Sequence, residues 1–258
     1  MERAGELKYP IIAVNDNDTK HLMDNYYGTG QSTLDGLLRA TNVLIAGKTV
    51  VVAGYGDCGK GVALRAKGLG AKVIVTEVKP FRALQAYMDG HYVMPMSEAV
   101  PRGDLFITVT GNRDVIRAEH FRKMKSGAII ANSGHFDIEI DTVALKKMAV
   151  KKEKIRPFMD KFSLKGNKDI YLIADGRLVN LSAAEGHPSE VMSMSFCGQA
   201  LAVEYLLKNA RKLNPGVHLL PEKIDVSIAK LQLETMKVKI DKLTAKQKAY
   251  LESWEEGT

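Results

Sequence analysis

Residues 49–61 read TVVVAGYGDCGKG: a β-branched, apolar run that breaks into Gly54-x-Gly56-x-x-Gly59 and continues as a helix-forming stretch. Each glycine has a mechanical reason to be there. Gly54 lets the chain turn tightly after a strand, Gly56 lets the backbone come close to a pyrophosphate, and Gly59 lets the following helix pack against the strand. The N-terminus of that helix presents free N–H groups and the positive end of its dipole to phosphate. The stretch 72–78 (KVIVTEV) is a second buried strand, and Glu77 near its end stands 21 residues after Gly56. A carboxylate there accepts hydrogen bonds from ribose hydroxyls and repels a 2′-phosphate, so it selects NAD over NADP. Lys79 and Arg82 lie nearby and soften that choice. A glycine-rich turn without a ligand is the alternative, and strand, fingerprint, helix, strand and acid in sequence weigh against it.

Further strands are expected at 104–110 and 127–132, alternating with helices at 59–69, at 81–90 with Pro80 opening it at N1, around 118–124, and at 141–149. Asp175-Gly176 reads as the turn of a hairpin over 169–182. Upstream, 8–14 is a short strand with nothing before it to pair with, 17–26 a short helix, and 32–45 a longer one capped by Ser32. Downstream, helices are expected over 189–211, 222–235 and 244–254. Apolar strands alternating with helices predict an α/β fold, a Rossmann-type doubly wound parallel sheet, with flanking helices from a partial second domain. The division expected is 1–29, a remnant of the second domain with its hinge; 30–186, the dinucleotide-binding domain; and 187–258, helices returning to the second domain, and a tail.

The net charge of +7 is spread along the chain. Its densest stretch, from Lys151 to Lys168, carries only Phe158 and Phe162 among the cations and no nucleic-acid module, so it reads as a solvated lysine-rich face. Basic surplus of this kind still helps attract an anionic dinucleotide. Cys58 and Cys197 have no metal-ligand spacing and predict no disulfide framework, which fits a reducing cytoplasm; the six histidines show no ligand spacing either, so no metal is expected. No apolar run reaches the length of a membrane span, and the charged N-terminus is not a signal peptide.

Three clusters are candidates for chemistry. Lys20 and Asp24 stand at i, i+4 on one helical face: an ordinary surface ion pair from spacing alone, or a lysine base beside a hydroxyl-binding carboxylate, with Asn25 placed to orient either. Asn132-Ser133-Gly134-His135 ends an expected strand, where ligands gather in open α/β sheets, so His135 is placed for proton transfer or a nicotinamide contact; a histidine in a structural turn is the equal alternative. Asn112 follows another strand end and the same argument applies. Cys58, inside the fingerprint at a helix N-terminus, reads as a small packing residue rather than an activated thiol.

Taken together, several strings resemble the S-adenosylhomocysteine hydrolase family: Asn15-Asp16, Lys20, Asp24-Asn25, Tyr27-Gly28, the fingerprint itself, Gly134-His135-Phe136-Asp137, Gly176 to Leu181, Gly186-His187-Pro188-Ser189, and Pro215 to His218. The resemblance covers essentially the whole chain. It implies reversible hydrolysis of S-adenosylhomocysteine to adenosine and homocysteine: oxidation at the ribose 3′ position, elimination, addition of water and re-reduction. By the same resemblance Lys20 takes the 3′-hydroxyl proton, Asp24 binds ribose hydroxyls, and Asn25 lies between lysine and nicotinamide. Gly56, Asp57, Cys58, Gly59, Lys60 and Gly61 wrap the pyrophosphate and Glu77 takes the adenosine ribose of NAD. Asn112, Ser133, Gly134, His135 and Asn180 are cofactor contacts, and His187 is a hinge histidine near nicotinamide and substrate. The family also implies a cytoplasmic homotetramer with no nucleic-acid or membrane partner. Departures are Thr29 where many members have Cys and Arg82 where many have Asn. The chain begins after the family's substrate domain, so it reads as a truncated or split protein, with adenosyl and inosyl substrates both open. Rival readings are an NAD dehydrogenase of the 2-hydroxyacid type, for which no convincing arginine is found, and a non-catalytic NAD-binding module.

Overall fold

The computed structural model describes residues 1–254. Its centre is an eight-stranded sheet in the order β4-β3-β2-β5-β6-β9-β8-β7, where β2 is Thr49–Ala53, β3 Lys72–Thr76, β4 Tyr92–Val93, β5 Leu105–Thr108, β6 Ala128–Asn132, β7 Ala149–Arg156, β8 Met159–Leu164 and β9 Lys168–Ile173. The six strands from β4 to β9 in this order run parallel. Because side chains alternate across a strand, Val50 and Val52 of β2 join Leu105 and Ile107 of β5 in the core on one face, while Val51 joins Phe106 on the other. That two-sided burial is what a β-branched run without polar alternation predicts. The fingerprint turn sits at the carboxyl end of β2, with Gly56 capping the helix Asp57–Gly68 and Pro80 opening the helix Pro80–Met88 as the sequence predicts.

Four features add to or depart from the expected pattern. The lysine-rich stretch, most of its lysines exposed, also forms β7 and β8, which extend the sheet antiparallel beyond β9. Lys152 pairs with Asp160 at 2.7 Å, and Lys151 and Lys161 with Glu153 at 2.7 and 3.2 Å, so an exposed sheet edge is covered by charge. The hairpin expected over 169–182 is not there. Ala174 and Asp175 do turn with positive φ (52° and 55°), but into the short helix Val179–Ser182 rather than a returning strand. The hairpin partner of β9 precedes it, as β8. Third, the early strand β1 (Pro10–Ile12) is partnered, in parallel with β10 (Gly216–His218), a strand the sequence did not suggest. Fourth, Gly28 and Gly30 do not break the early helix. Asp18–Lys20, the π-helix His21–Gly28 and Thr29–Thr41 run on continuously and end where Asn42 adopts φ 53°.

The helices Ser189–Asn209 and Glu222–Thr235 form with β1 and β10 a small separate core of Ile12, Ala202 and Leu220. The helix Ala245–Leu251 starts at Thr244, whose hydroxyl and the Gln247 side chain cap each other's backbone N–H. The last four residues of the 187–258 segment lie outside the described residues.

Candidate cofactor and substrate site

Lys20, Asp24 and Asn25 come together because of the π-helical turn. Its N–H groups bond five residues back, as Thr29 does to Asp24, which keeps positions i+4 and i+5 on one face. Lys20 Nζ therefore donates to Asn25 Oδ1 at 2.6 Å and lies 3.3 Å from Asp24 Oδ1. This is not a surface ion pair: the Asp24 side chain is only 7% exposed.

Two distant residues complete the group. His187 Nδ1 stands 3.1 Å from Asp24 Oδ1, and Ser195 on the long helix donates its hydroxyl to Asp24 Oδ2 at 2.6 Å. Asn180 Nδ2 lies 3.4 Å from His187 Nε2, and an amide nitrogen only donates, so Nε2 accepts and Nδ1 carries the proton toward Asp24. Burial alone raises the Asp24 pKa, but hydrogen bonds from His187 and Ser195 and the charge of Lys20 outweigh it and hold the carboxyl at about 2. Asp24 is thus an anion at neutral pH, an acceptor and electrostatic anchor rather than a proton donor. The sequence pointed to Lys20, Asp24, Asn25, Asn180 and His187; it did not single out Ser195. The available signal was a buried serine in a long apolar helix, where a side-chain partner outside the helix is the natural question.

The cofactor fingerprint is built as follows. Glu77 Oε2 accepts from the Tyr55 N–H at 2.8 Å, and Oε1 accepts from the Val78 and Lys79 N–H groups at 2.7 and 2.9 Å. Burial opposes its ionisation most strongly, yet these backbone donors and the nearby Arg82 charge keep its pKa below the ordinary value. Burial pushes the Cys58 thiol up, which agrees with a packing role. Lys60 Nζ lies 4.0 Å from Asp57 Oδ1. Gly61 is pressed against another helix: a Cβ there would lie 1.9 Å from the Tyr26 carbonyl oxygen.

At the carboxyl ends of β5 and β6, Asn132 Oδ1 accepts from the Gly134 N–H and the Thr108 hydroxyl, and its Nδ2 reaches the Phe136 and Gly176 carbonyls. Ser133 shares a 2.6 Å hydrogen bond with Thr33. Glu139, fully buried, accepts from the N–H groups of Thr110 and Gly111 and the Thr110 hydroxyl, shaping the loop that presents exposed Asn112. Glu139 and Asn132 thus organise this rim. His135 is exposed, edge-on to Phe136 at 4.4 Å, and makes no hydrogen bond to the Lys20–Asp24 group among the described residues.

These residues fit a dinucleotide. Gly56 leaves the turn open, since the first atoms a Cβ there would meet belong to the Arg82 guanidinium. Asn180 Oδ1 is a buried acceptor without a partner among the described residues, suited to a donor on a bound ligand. A cavity of about 610 Å³ lined by Tyr26, Tyr55, Asp57, Lys60 and His91 borders the fingerprint turn and includes neither Lys20, Asp24 nor Glu77. Among the described residues no cluster of His, Cys, Asp or Glu is placed to hold a metal ion, and no helix is long and apolar enough to cross a membrane.

Residues 25–186 match the family model described as S-adenosyl-L-homocysteine hydrolase, NAD binding domain. Over 258 residues the chain is 61% identical to the adenosylhomocysteinase of Gloeobacter violaceus and 58% to that of Saccharolobus solfataricus, covering 60% and 62% of them. It is 60% identical, over 62% of the relative's length, to the S-inosyl-L-homocysteine hydrolase of Methanocaldococcus jannaschii. The chain thus spans about three fifths of the curated relatives it matches. Among solved structures, the A chain of dipicolinate synthase from Bacillus subtilis superposes with a TM-score of 0.54 at 16% identity, covering 77% of this chain and 58% of that one, a likeness of fold alone.

Proposed function

The chain belongs to the S-adenosyl-L-homocysteine hydrolase family, carrying its NAD-binding domain, and from that premise we propose that it holds NAD tightly and supplies part of the machinery for reversible cleavage of a nucleosyl homocysteine. We read 1–29 and 187–258 as its links to a substrate domain and 30–186 as the cofactor domain, in a cytoplasmic homo-oligomer. Bound NAD supplies a reversible two-electron acceptor.

The protein's own residues do the rest. The Gly56 turn and the first turn of Asp57–Gly68 bind the pyrophosphate, and Glu77 accepts from the adenosine ribose of the cofactor. Asn112, Ser133, Gly134 and Asn180 line the remainder of the dinucleotide, with His135 at the rim. Asp24, anionic with a pKa of about 2, accepts a hydrogen bond from a substrate ribose hydroxyl. Lys20 Nζ, fixed by Asn25 and Asp24, moves the proton of the 3′-hydroxyl. His187 ties Asp24 to Asn180 and so joins the substrate end of the site to the cofactor end.

The observation that carries this reading is the convergence of Lys20, Asp24, Asn25 and His187 into one hydrogen-bonded, largely buried group. The test is absorbance near 340 nm after adding adenosine to the NAD-loaded chain. A rise that is lost in Lys20→Gln supports the reading. Bound NAD with no rise on adding either adenosine or inosine leaves this chain a cofactor module and removes the oxidation step from it. The inosyl substrate is the second reading, favoured by near-equal identity to relatives named for either nucleoside.

A further inference from the structure

Arg82 occupies a position that the fingerprint alone does not explain. It stands in the first turn of the helix Pro80–Met88, which follows β3 and Glu77. Its guanidinium folds back over the phosphate turn: Nη1, Cζ and Nη2 lie 3.3, 3.7 and 3.9 Å from where a Cβ on Gly56 would begin. Gly56 is the residue whose missing side chain lets a pyrophosphate approach the backbone. The same cation is close enough to Glu77 to favour its ionised form, yet among the described residues the guanidinium makes no hydrogen bond or ion pair of its own. A planar cation with spare N–H donors therefore faces the turn where two phosphate charges are expected, beside the N-cap of the helix Asp57–Gly68.

We propose that Arg82 is a phosphate clamp, a cofactor-binding residue that closes over the pyrophosphate of the bound dinucleotide from the Gly56 side. A 2′-phosphate is the other anion within reach, but Glu77, held ionised by three backbone donors, occupies that end and repels it. The clamp acts on the pyrophosphate common to NAD and ADP-ribose, and not on the choice between NAD and NADP. Arg82 is exposed, so its replacement leaves the core untouched.

The test is calorimetric titration of the full chain, freed of cofactor, with NAD, ADP-ribose and NADP. Arg82→Ala is expected to weaken NAD and ADP-ribose alike by about tenfold, the size of one charge-assisted contact, and to flatten the salt dependence of binding. Arg82→Lys, keeping charge but not the fork, is expected to recover part of that loss. The ratio of NAD to NADP affinity stays as in the wild type. Unchanged NAD affinity in Arg82→Ala overturns the clamp, and so does a loss confined to NADP, which would put the guanidinium on a 2′-phosphate instead. A wild-type chain that binds neither NAD nor ADP-ribose overturns it together with the cofactor assignment.

Discussion

At the scale of single residues, the Asp24 carboxyl concentrates most of the site's electrostatics. Its folded pKa is depressed from 3.8 to about 2, so its stabilising contribution is complete above the unfolded value and is lost as pH falls through the folded one. The span corresponds to about 2 kcal/mol, present above about pH 4 and gone below about pH 2. Ser195 sustains part of it. Ser195→Ala removes the donor to Oδ2, returns the pKa toward 3.8, and shifts the acid loss of stability to higher pH, whereas Ser195→Thr keeps the hydroxyl and the wild-type curve. Urea unfolding across the acid range distinguishes these; superimposable curves for Ser195→Ala and wild type would mean that Ser195 does not act through Asp24. Lys20 and Asp24 were legible as a pair from i, i+4 spacing. That the pair is buried was not, because burial comes from His187 and Ser195, more than 160 residues away.

Among the elements, the contact that decides the site's geometry is the crossing of the helix Asp57–Gly68 with the run His21–Gly28 and Thr29–Thr41. It is made backbone to backbone: Gly30 meets the Gly61 carbonyl group, and Gly61 meets the Tyr26 carbonyl. In the motif Gly61 reads as part of the phosphate wrap, while in the fold it is the point of closest helix approach. Gly61→Ala is therefore expected to destabilise the chain by about 1–3 kcal/mol through overpacking, since backbone atoms have nowhere to move. A melting temperature lowered by several degrees, about 2–4 °C for each kcal/mol, is the expected result, and an unchanged one would show that the crossing is looser than it stands. The elements least legible in the sequence are β7 and β8. Their lysines mimic a solvated loop, and only pairing with β9 and with Glu153 and Asp160 makes strands of them.

For the molecule as a whole, the proposed site has NAD bridging the sheet's carboxyl edge and the Lys20 group, so on that proposal its binding is linked to global folding. Saturation at a hundredfold excess over Kd adds about 2.7 kcal/mol, and a melting shift of about 5–10 °C is expected with NAD, checked by differential scanning fluorimetry. NADP at the same concentration is expected to give a smaller shift; equal shifts would remove Glu77 from cofactor selection. The sequence by itself determined the parallel nucleotide-binding sheet, the phosphate turn and the acid that follows it, because local spacing, apolar strands and glycine freedom act within some thirty residues. It also determined the residue types of the candidate site. Only the tertiary structure decided how they meet. The π-helical turn puts Lys20 against both Asp24 and Asn25, the long helix brings Ser195 to Asp24, the Pro80–Met88 helix folds Arg82 over Gly56, and β10 returns to pair with β1. Those contacts join residues far apart in the chain, and their free energy arises from burial and shared hydrogen bonds that no local pattern records.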